Sequence, residues 1–263
     1  MSNTLRSPGS AIKLPSWALR LAETRAIAEL YAYAWCYPLM HCAQRGDGHP
    51  VLVLPGFLAS GSSTFPLRHI LKRLGYQGHR WKLGRNMGPV QIALDQVMDR
   101  LQELRQRYDQ PVSVVGWSLG GIYARELAWQ APDDVRQVIT LGTPFHAHEA
   151  STAAWLYKSI NAYHGQDIED QVLARAAKPP PVPSTSIYSR GDGVVPWQCS
   201  LDSPGPHTEN IRVHGSHCGL GHNPLALWAI FDRLAQPDGA WQAFERVRWM
   251  GLSYPVADTP DTV

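Results

Sequence analysis

Ser118, Asp192 and His217 have the side-chain types that nucleophilic acyl chemistry needs, and they follow one another in the order serine, acid, histidine. A serine hydroxyl is a weak nucleophile at neutral pH. A neighbouring base must take its proton, and a third group must orient that base. Ser118 stands in Gly116-Trp117-Ser118-Leu119-Gly120, the pattern G-x-S-x-G. In a sharp strand-to-helix turn the serine occupies the strained tip, and the glycines let the two backbones approach. The bare pattern is common. The apolar run before it (Val112, Val114, Val115) and the helical stretch GIYARELAWQ after it make it specific, against the plain alternative of a glycine-rich turn with an idle serine.

Asp192 lies between Gly191 and Gly193, in a tight loop that aims its carboxylate inward; the alternative is a turn aspartate that only caps backbone amides. Asp202 is the reserve acid, with nothing strand-like directly before it. Three histidines compete for the base. His214 is close enough to the last strand to belong to it, and His222 precedes Asn223-Pro224 and fits a helix start. His217 is mid-loop among small residues that leave an imidazole room. It is the preferred base, with His222 and His214 open as alternatives. Negative charge building on a substrate carbonyl oxygen calls for backbone N–H donors, each worth about 3–4 kcal/mol. Leu119 supplies one. The loop after 51–54 supplies the other through Phe57, because Gly56 before it lets the backbone come close.

The remaining polar clusters carry less. His146, His148 and Glu149 form H-x-H-E without a clear fourth ligand, so no metal is assigned. Asp167, Glu169 and Asp170 read as a solvated face. Neither G-x-x-x-x-G-K-[ST] nor G-x-G-x-x-G occurs, so no nucleotide site and no cofactor are expected.

The elements that must position these residues follow from patterning. Strands are expected at 51–54, 78–83, 112–115, 135–141, 186–188 and 210–213, and helices at 64–74, from 89 onward, after Ser118, and at 223–234. In the helix from Pro89, Val90, Ala93, Leu94, Val97, Leu101 and Leu104 recur at spacings of three and four. The alternation implies an α/β protein with a mostly parallel central sheet covered by helices on both faces. Candidate nucleophile, acid and base each follow a different strand, at the carboxyl ends where reactive groups gather in such sheets. The rhythm breaks over 145–183, which has helical composition and ends in Lys178-Pro179-Pro180-Pro181-Val182-Pro183. That stretch is a candidate cap or lid, the alternative being an ordinary crossover helix.

The chain has 263 residues, 44% of them hydrophobic, enough for one large domain. A formal net charge of +2, no long basic run and no nucleic-acid module give no reason to expect a nucleic-acid partner. Ten Trp and ten Tyr fit an aromatic-walled cleft and ordinary packing equally. The N-terminal MSNTLRSPGSAIKLP, read as a disordered lead, lacks the apolar core of a secretory signal. Cys36, Cys42, Cys199 and Cys218 show no C-x-x-C pair or zinc spacing. Both observations point to a cytoplasmic protein with free thiols. Residues 17–37 read as a helix capped by Ser16 and ended before Pro38, with Arg20, Glu23 and Thr24 marking a polar side. Its charges interrupt it too often for a membrane span. It is expected to pack on the domain or to serve as a surface for peripheral membrane or dimer contact.

Taken jointly and in order, Gly116-Trp117-Ser118-Leu119-Gly120, Leu141-Gly142-Thr143-Pro144, Asp192-Gly193-Val194-Val195-Pro196 and His217-Cys218-Gly219-Leu220 make the chain resemble the α/β-hydrolase superfamily and, within it, the bacterial serine lipase/esterase branch. The resemblance runs from about Val51 to Leu234. It implies Ser118 as nucleophile, Asp192 as acid and His217 as base in carboxylic-ester hydrolysis through an acyl-enzyme, on a small ester with an apolar acyl or aromatic group. An acyltransferase, thioesterase or amidase would use the same triad, and a hydrolase-like binding protein would use none of it. Many lipases carry His-Gly where this chain has Pro55-Gly56, which bears on Phe57. The resulting division is an N-terminal extension with an amphipathic helix at 1–45, a core at 46–144 and 184–240, a lid at 145–183 and a tail at 241–263.

Overall fold

The computed structural model describes residues 13–88, 91–146, 166–246, 248–249 and 252–259. Two helices, α1 (Trp17–Leu21) and α2 (Arg25–Met40), joined by a 3-10 turn (Ala22–Thr24), precede the sheet. Its strands are β1 (Pro50–Leu54), β2 (Gln77–Arg80), β3 (Val112–Trp117), β4 (Val135–Leu141), β5 (Ser184–Ser189) and β6 (Thr208–Val213). They lie in the order β2-β1-β3-β4-β5-β6, and every neighbouring pair is parallel. The helices between and after them are α3 (Phe65–Arg73), α4 (Gln91–Tyr108), α5 (Leu119–Gln130), α6 (Gln166–Ala176) and α7 (Pro224–Leu234). The expected fold class therefore stands.

Apolar residues run unbroken through the central strands because both faces of the sheet are covered. In β1, Val51 and Val53 join Ile70, Leu71 and Phe231 in one core cluster, whereas Leu52 and Leu54 join Leu101, Ile122 and Leu127 in the other. Each such fully buried side chain is worth about 1.5–3 kcal/mol. Strand β5 begins two residues earlier than its apolar pattern suggests. Ser184 and Thr185 are buried strand residues whose hydroxyls donate to Asp202 (3.1 Å) and Glu209 (2.8 Å), so they need no water.

Three expectations change. First, the helix read as ending before Pro38 continues to Met40, which is fully buried; Pro38 sits in the last turn, where it forgoes one i→i−4 hydrogen bond just before the helix ends. Ser16 does cap it, its Oγ accepting from the Leu19 N–H at 3.3 Å. Second, the earlier part of this helical segment faces the protein with its polar side, whereas Tyr33, Cys36, Tyr37 and Met40 pack on the core. Trp17 is 74% exposed and Trp35 84%, with Leu21, Ile27 and Tyr31 also outward, while Glu23 and Glu29 turn in. Third, the later part of the expected lid belongs to the core. Val172 and Ala176 of α6 are buried, and Arg175 pairs with the buried Glu126 of α5 (3.0 and 2.5 Å). Residues 147–165, with His148 and Glu149 of the H-x-H-E cluster, lie outside the described residues, as do residues 1–12, 89–90 and 260–263.

The tail is docked. A two-strand hairpin of β7 (Arg248–Trp249) and β8 (Leu252–Ser253) precedes Tyr254, which is buried and donates to the Leu225 carbonyl at 2.7 Å. Among the described residues no helix is long and apolar enough to cross a membrane.

Candidate active site

Strand β3 passes into α5 through Ser118 alone. Ser118 has φ 52° and ψ −123°, a backbone region that costs a non-glycine residue about 1–3 kcal/mol. The surroundings enforce it. The Ser118 N–H donates to Leu141 O at 2.7 Å, and its carbonyl accepts from Gly121 N–H (2.9 Å) and the Thr143 hydroxyl (2.9 Å). The turn closes only on glycine: a Cβ on Gly120 would stand 2.5 Å from Leu54 O, and one on Gly116 would run into Gly120 and Gly121.

Asp192, 3% exposed, lies in the loop after β5. Its Oδ1 accepts from the N–H groups of Val194 (2.8 Å) and Val195 (2.7 Å), and its Oδ2 meets His217 Nδ1 at 2.6 Å. With Nδ1 donating to the carboxylate, Nε2 of His217 carries the free lone pair. The turn aspartate of the sequence-level alternative is thus also the histidine's partner; it does both. Burial disfavours the imidazolium, but the charge and hydrogen bond of Asp192, and behind them the charge of Glu23, outweigh it and hold His217 above its ordinary pKa. Gly142 (φ 54°), after β4, lets the backbone pass against this pair: a Cβ there would stand 3.0 Å from His217 Nδ1 and 3.1 Å from Asp192 Oδ2. Trp117, beside Ser118, donates from its indole to the His217 carbonyl at 3.1 Å.

The competing candidates are placed elsewhere. His222 Nε2 bonds the Ala26 carbonyl (3.0 Å) on the N-terminal helix, and His214 is exposed. Asp202 is locked to Arg125, its Oδ2 on Nη1 at 2.6 Å and its Oδ1 on Nη2 at 3.0 Å, beside Ser184 at the start of β5.

The sheet order reverses between β1 and β3, and the loop after β1 meets the serine there. A Cβ on Gly56 would stand 3.2 Å from Ser118 Cβ. Phe57 follows, packed against the core, and Leu119 is the first residue of α5. Sequence reasoning missed what holds this loop. Asn86 is fully buried; its Nδ2 donates to Pro55 O (2.8 Å), its carbonyl accepts from Leu58 N–H (2.7 Å), and its N–H donates to Ala59 O (2.9 Å). It also missed Asp258, which pairs with Arg190 directly before the acid loop and accepts from Tyr188 at 2.9 Å. No motif marks either residue.

Comparison with known proteins bears on the architecture. Lipase B of Aspergillus fumigatus superposes with a TM-score of 0.59 at 19% identity, over 74% of this chain and 54% of that one. The chain has the α/β-hydrolase fold. Bacillus licheniformis lipase BlEst2 superposes on this chain with a TM-score of 0.53 (17% identity, 73% of this chain, 94% of that one). The mouse alpha/beta hydrolase domain-containing protein 10 does so at 0.51 (18% identity, 72% and 90%). In sequence, human Serine hydrolase BPHL is 29% identical over 133 residues, 46% of this chain and 44% of that protein, so the match spans less than half of either. No family model matches.

Proposed function

We propose that this α/β-hydrolase is a serine hydrolase of carboxylic esters, of the lipase/esterase kind, with Ser118 as nucleophile, His217 as base and Asp192 as the acid that orients it. The observation that carries this reading is the buried Asp192–His217 pair, bonded at 2.6 Å at the same carboxyl end of the sheet as a serine held at a strained strand-to-helix tip. The lipase names of two structural neighbours agree with it. As Ser118 Oγ attacks the ester carbonyl carbon, His217 Nε2 takes its proton, and the N–H groups of Leu119 and Phe57 receive the charge on the carbonyl oxygen. The tetrahedral centre collapses, the C–O bond to the alcohol breaks, and His217 returns the proton to that alcohol. Water, deprotonated by His217, then attacks the acyl-enzyme. The carboxylic acid leaves, and Ser118 takes back its proton.

The test is hydrolysis of p-nitrophenyl esters of increasing acyl length by the wild type and by Ser118→Ala. Loss of at least about three orders of magnitude in kcat is expected, because members of such a triad act as a unit. The chain-length optimum measures the acyl pocket. Turnover that survives the substitution refutes the reading.

A further inference from the structure

The inward side of the N-terminal helix is occupied with the two loops that carry Asp192 and His217. Glu23, in the turn between α1 and α2, accepts at Oε1 from the N–H groups of Gly193 (2.7 Å) and His217 (2.9 Å), and at Oε2 from that of Cys218 (2.8 Å). One carboxylate thus bridges the acid loop and the base loop through their backbone amides. Neighbouring contacts extend the clamp. Arg25 Nη2 donates to Gly191 O at 2.7 Å, and Glu29 Oε1 accepts from Ser216 N–H at 2.7 Å. The fit at Gly193 is close enough that a Cβ there would collide with the Leu19 carbonyl.

We propose that Glu23 is a positioning residue for the Asp192–His217 pair: it fixes the distance between the two loops and sets a second carboxylate behind the imidazole. The proposal rests on the reading of these residues as a catalytic acid and base. Hydrogen bonds to an ionised acceptor are about twice as strong as neutral ones, and here three converge on one side chain. Catalytic geometry tolerates little movement; a displacement of about 1 Å can cost on the order of 100-fold in rate. A negative charge near His217 also favours the imidazolium that forms as Ser118 gives up its proton. The state of Glu23 fits this role. Burial pushes its pKa up, but the amides of Cys218, His217 and Gly193 and the charge of His217 outweigh that and hold it below the ordinary carboxylate range. Asp192 and Glu23 are the carboxylates that act on His217. Glu29 reaches the adjoining Ser216 amide, and Arg25 is the cation on the acid loop. Burial, with Glu23 beside it, pushes the Cys218 thiol up to about 12, so it stays neutral. Cys199 is pushed up to about 12 in the same way, with Asp192 adding to burial.

The experiment compares wild type, Glu23→Gln, Glu23→Asp and Glu23→Ala in three readouts. These are kcat and KM on p-nitrophenyl acetate from pH 5 to 9, the thermal unfolding midpoint, and the NMR titration of the His217 ring. Glu23→Gln keeps an acceptor oxygen and loses the charge. Its His217 titration and the acid limb of kcat/KM should both move to lower pH by at least about 0.5 unit, with kcat down about tenfold and KM unchanged. Glu23→Asp keeps the charge and should leave the limb near that of wild type while kcat falls. Glu23→Ala should lose about 100-fold in kcat; if it does not fold, the glutamine variant decides. A titration and limb that stay in place in Glu23→Gln, with any loss of kcat tracking the unfolding midpoint, overturn the proposal. The ring titration needs no turnover. An unmoved titration in a Ser118-dependent hydrolase therefore removes Glu23 alone, whereas turnover independent of Ser118 removes the hydrolase reading and the catalytic meaning of Glu23 with it.

Discussion

Asp192 and Asp202 are both buried carboxylates within the stretch that joins β5 to β6, and their partners separate them. Asp202 neutralises Arg125, and neither side chain of that pair is exposed. Removing one member of a buried pair strands the other charge, so Asp202→Ala should lower stability by about 3–5 kcal/mol in urea unfolding. Asp192 instead gives one oxygen to backbone amides and the other to His217. With the His217 pKa raised above its ordinary 6.5, the neutral base is lost on acidification at a higher pH than for a free histidine. A pH profile of kcat/KM should therefore fall with one-proton slope below a midpoint above 6.5. The linked stability has the opposite sense: the raised pKa favours the folded state below 6.5 and ceases to do so as pH rises through the folded value. Serine, acid and histidine were legible because each sits in a glycine-flanked or strand-terminal loop with its own local pattern. His217 was preferred over His222 and His214 for its place among small loop residues, and its hydrogen bond to Asp192 agrees with that preference. Glu23 and Asn86 were not legible, because each acts on backbone groups, and backbone hydrogen bonding leaves no residue pattern in the partner.

The loop after β1 and the loop around Asn86 form one element in practice. Asn86 ties down Pro55, Leu58 and Ala59, and Leu58 is held at φ 59°. Asn86→Ala leaves the buried Pro55 carbonyl without its donor, at about 1–3 kcal/mol. Thermal unfolding should register that loss. If Phe57 contributes a donor to the oxyanion, kcat should fall more than KM rises, since the contact is made chiefly in the transition state. Most strands and helices with apolar patterns were read within two residues of their limits, but the strand expected at 78–83 runs Gln77–Arg80, because Trp81 and Leu83 turn into the core from the loop after it. Strand β5 was read short because Ser184 and Thr185 look like loop residues until their hydroxyls find the carboxylates of Asp202 and Glu209. The N-terminal helix exposes the limit of periodicity most clearly. Spacing separates an apolar stripe from a polar one, but which stripe faces the protein depends on what the opposing loops offer, and here they offer unpaired N–H groups.

At the scale of the molecule, the sheet has its core on both faces and its candidate chemistry at the carboxyl end of its strands. Loops after β1, β3, β4, β5 and β6 meet there, and α1, α2 and the tail reach the same end from outside the sheet. The attachment of the N-terminal segment is uneven. No residue of α1 is buried and Met40 is the only buried residue of α2, with Tyr33, Cys36 and Tyr37 packed partly against the core. The first half of the segment is therefore held by hydrogen bonds and the second by apolar contact. Regions with few buried apolar contacts open at a lower free energy than the global transition. The stretch around Glu23 is therefore expected to open at a lower free energy than the sheet and to release the amides of Gly193, His217 and Cys218 as it does; native-state hydrogen exchange of those three amides checks this. The window of temperature and denaturant over which these loops stay clamped is then expected to be narrower than the window over which the protein is folded.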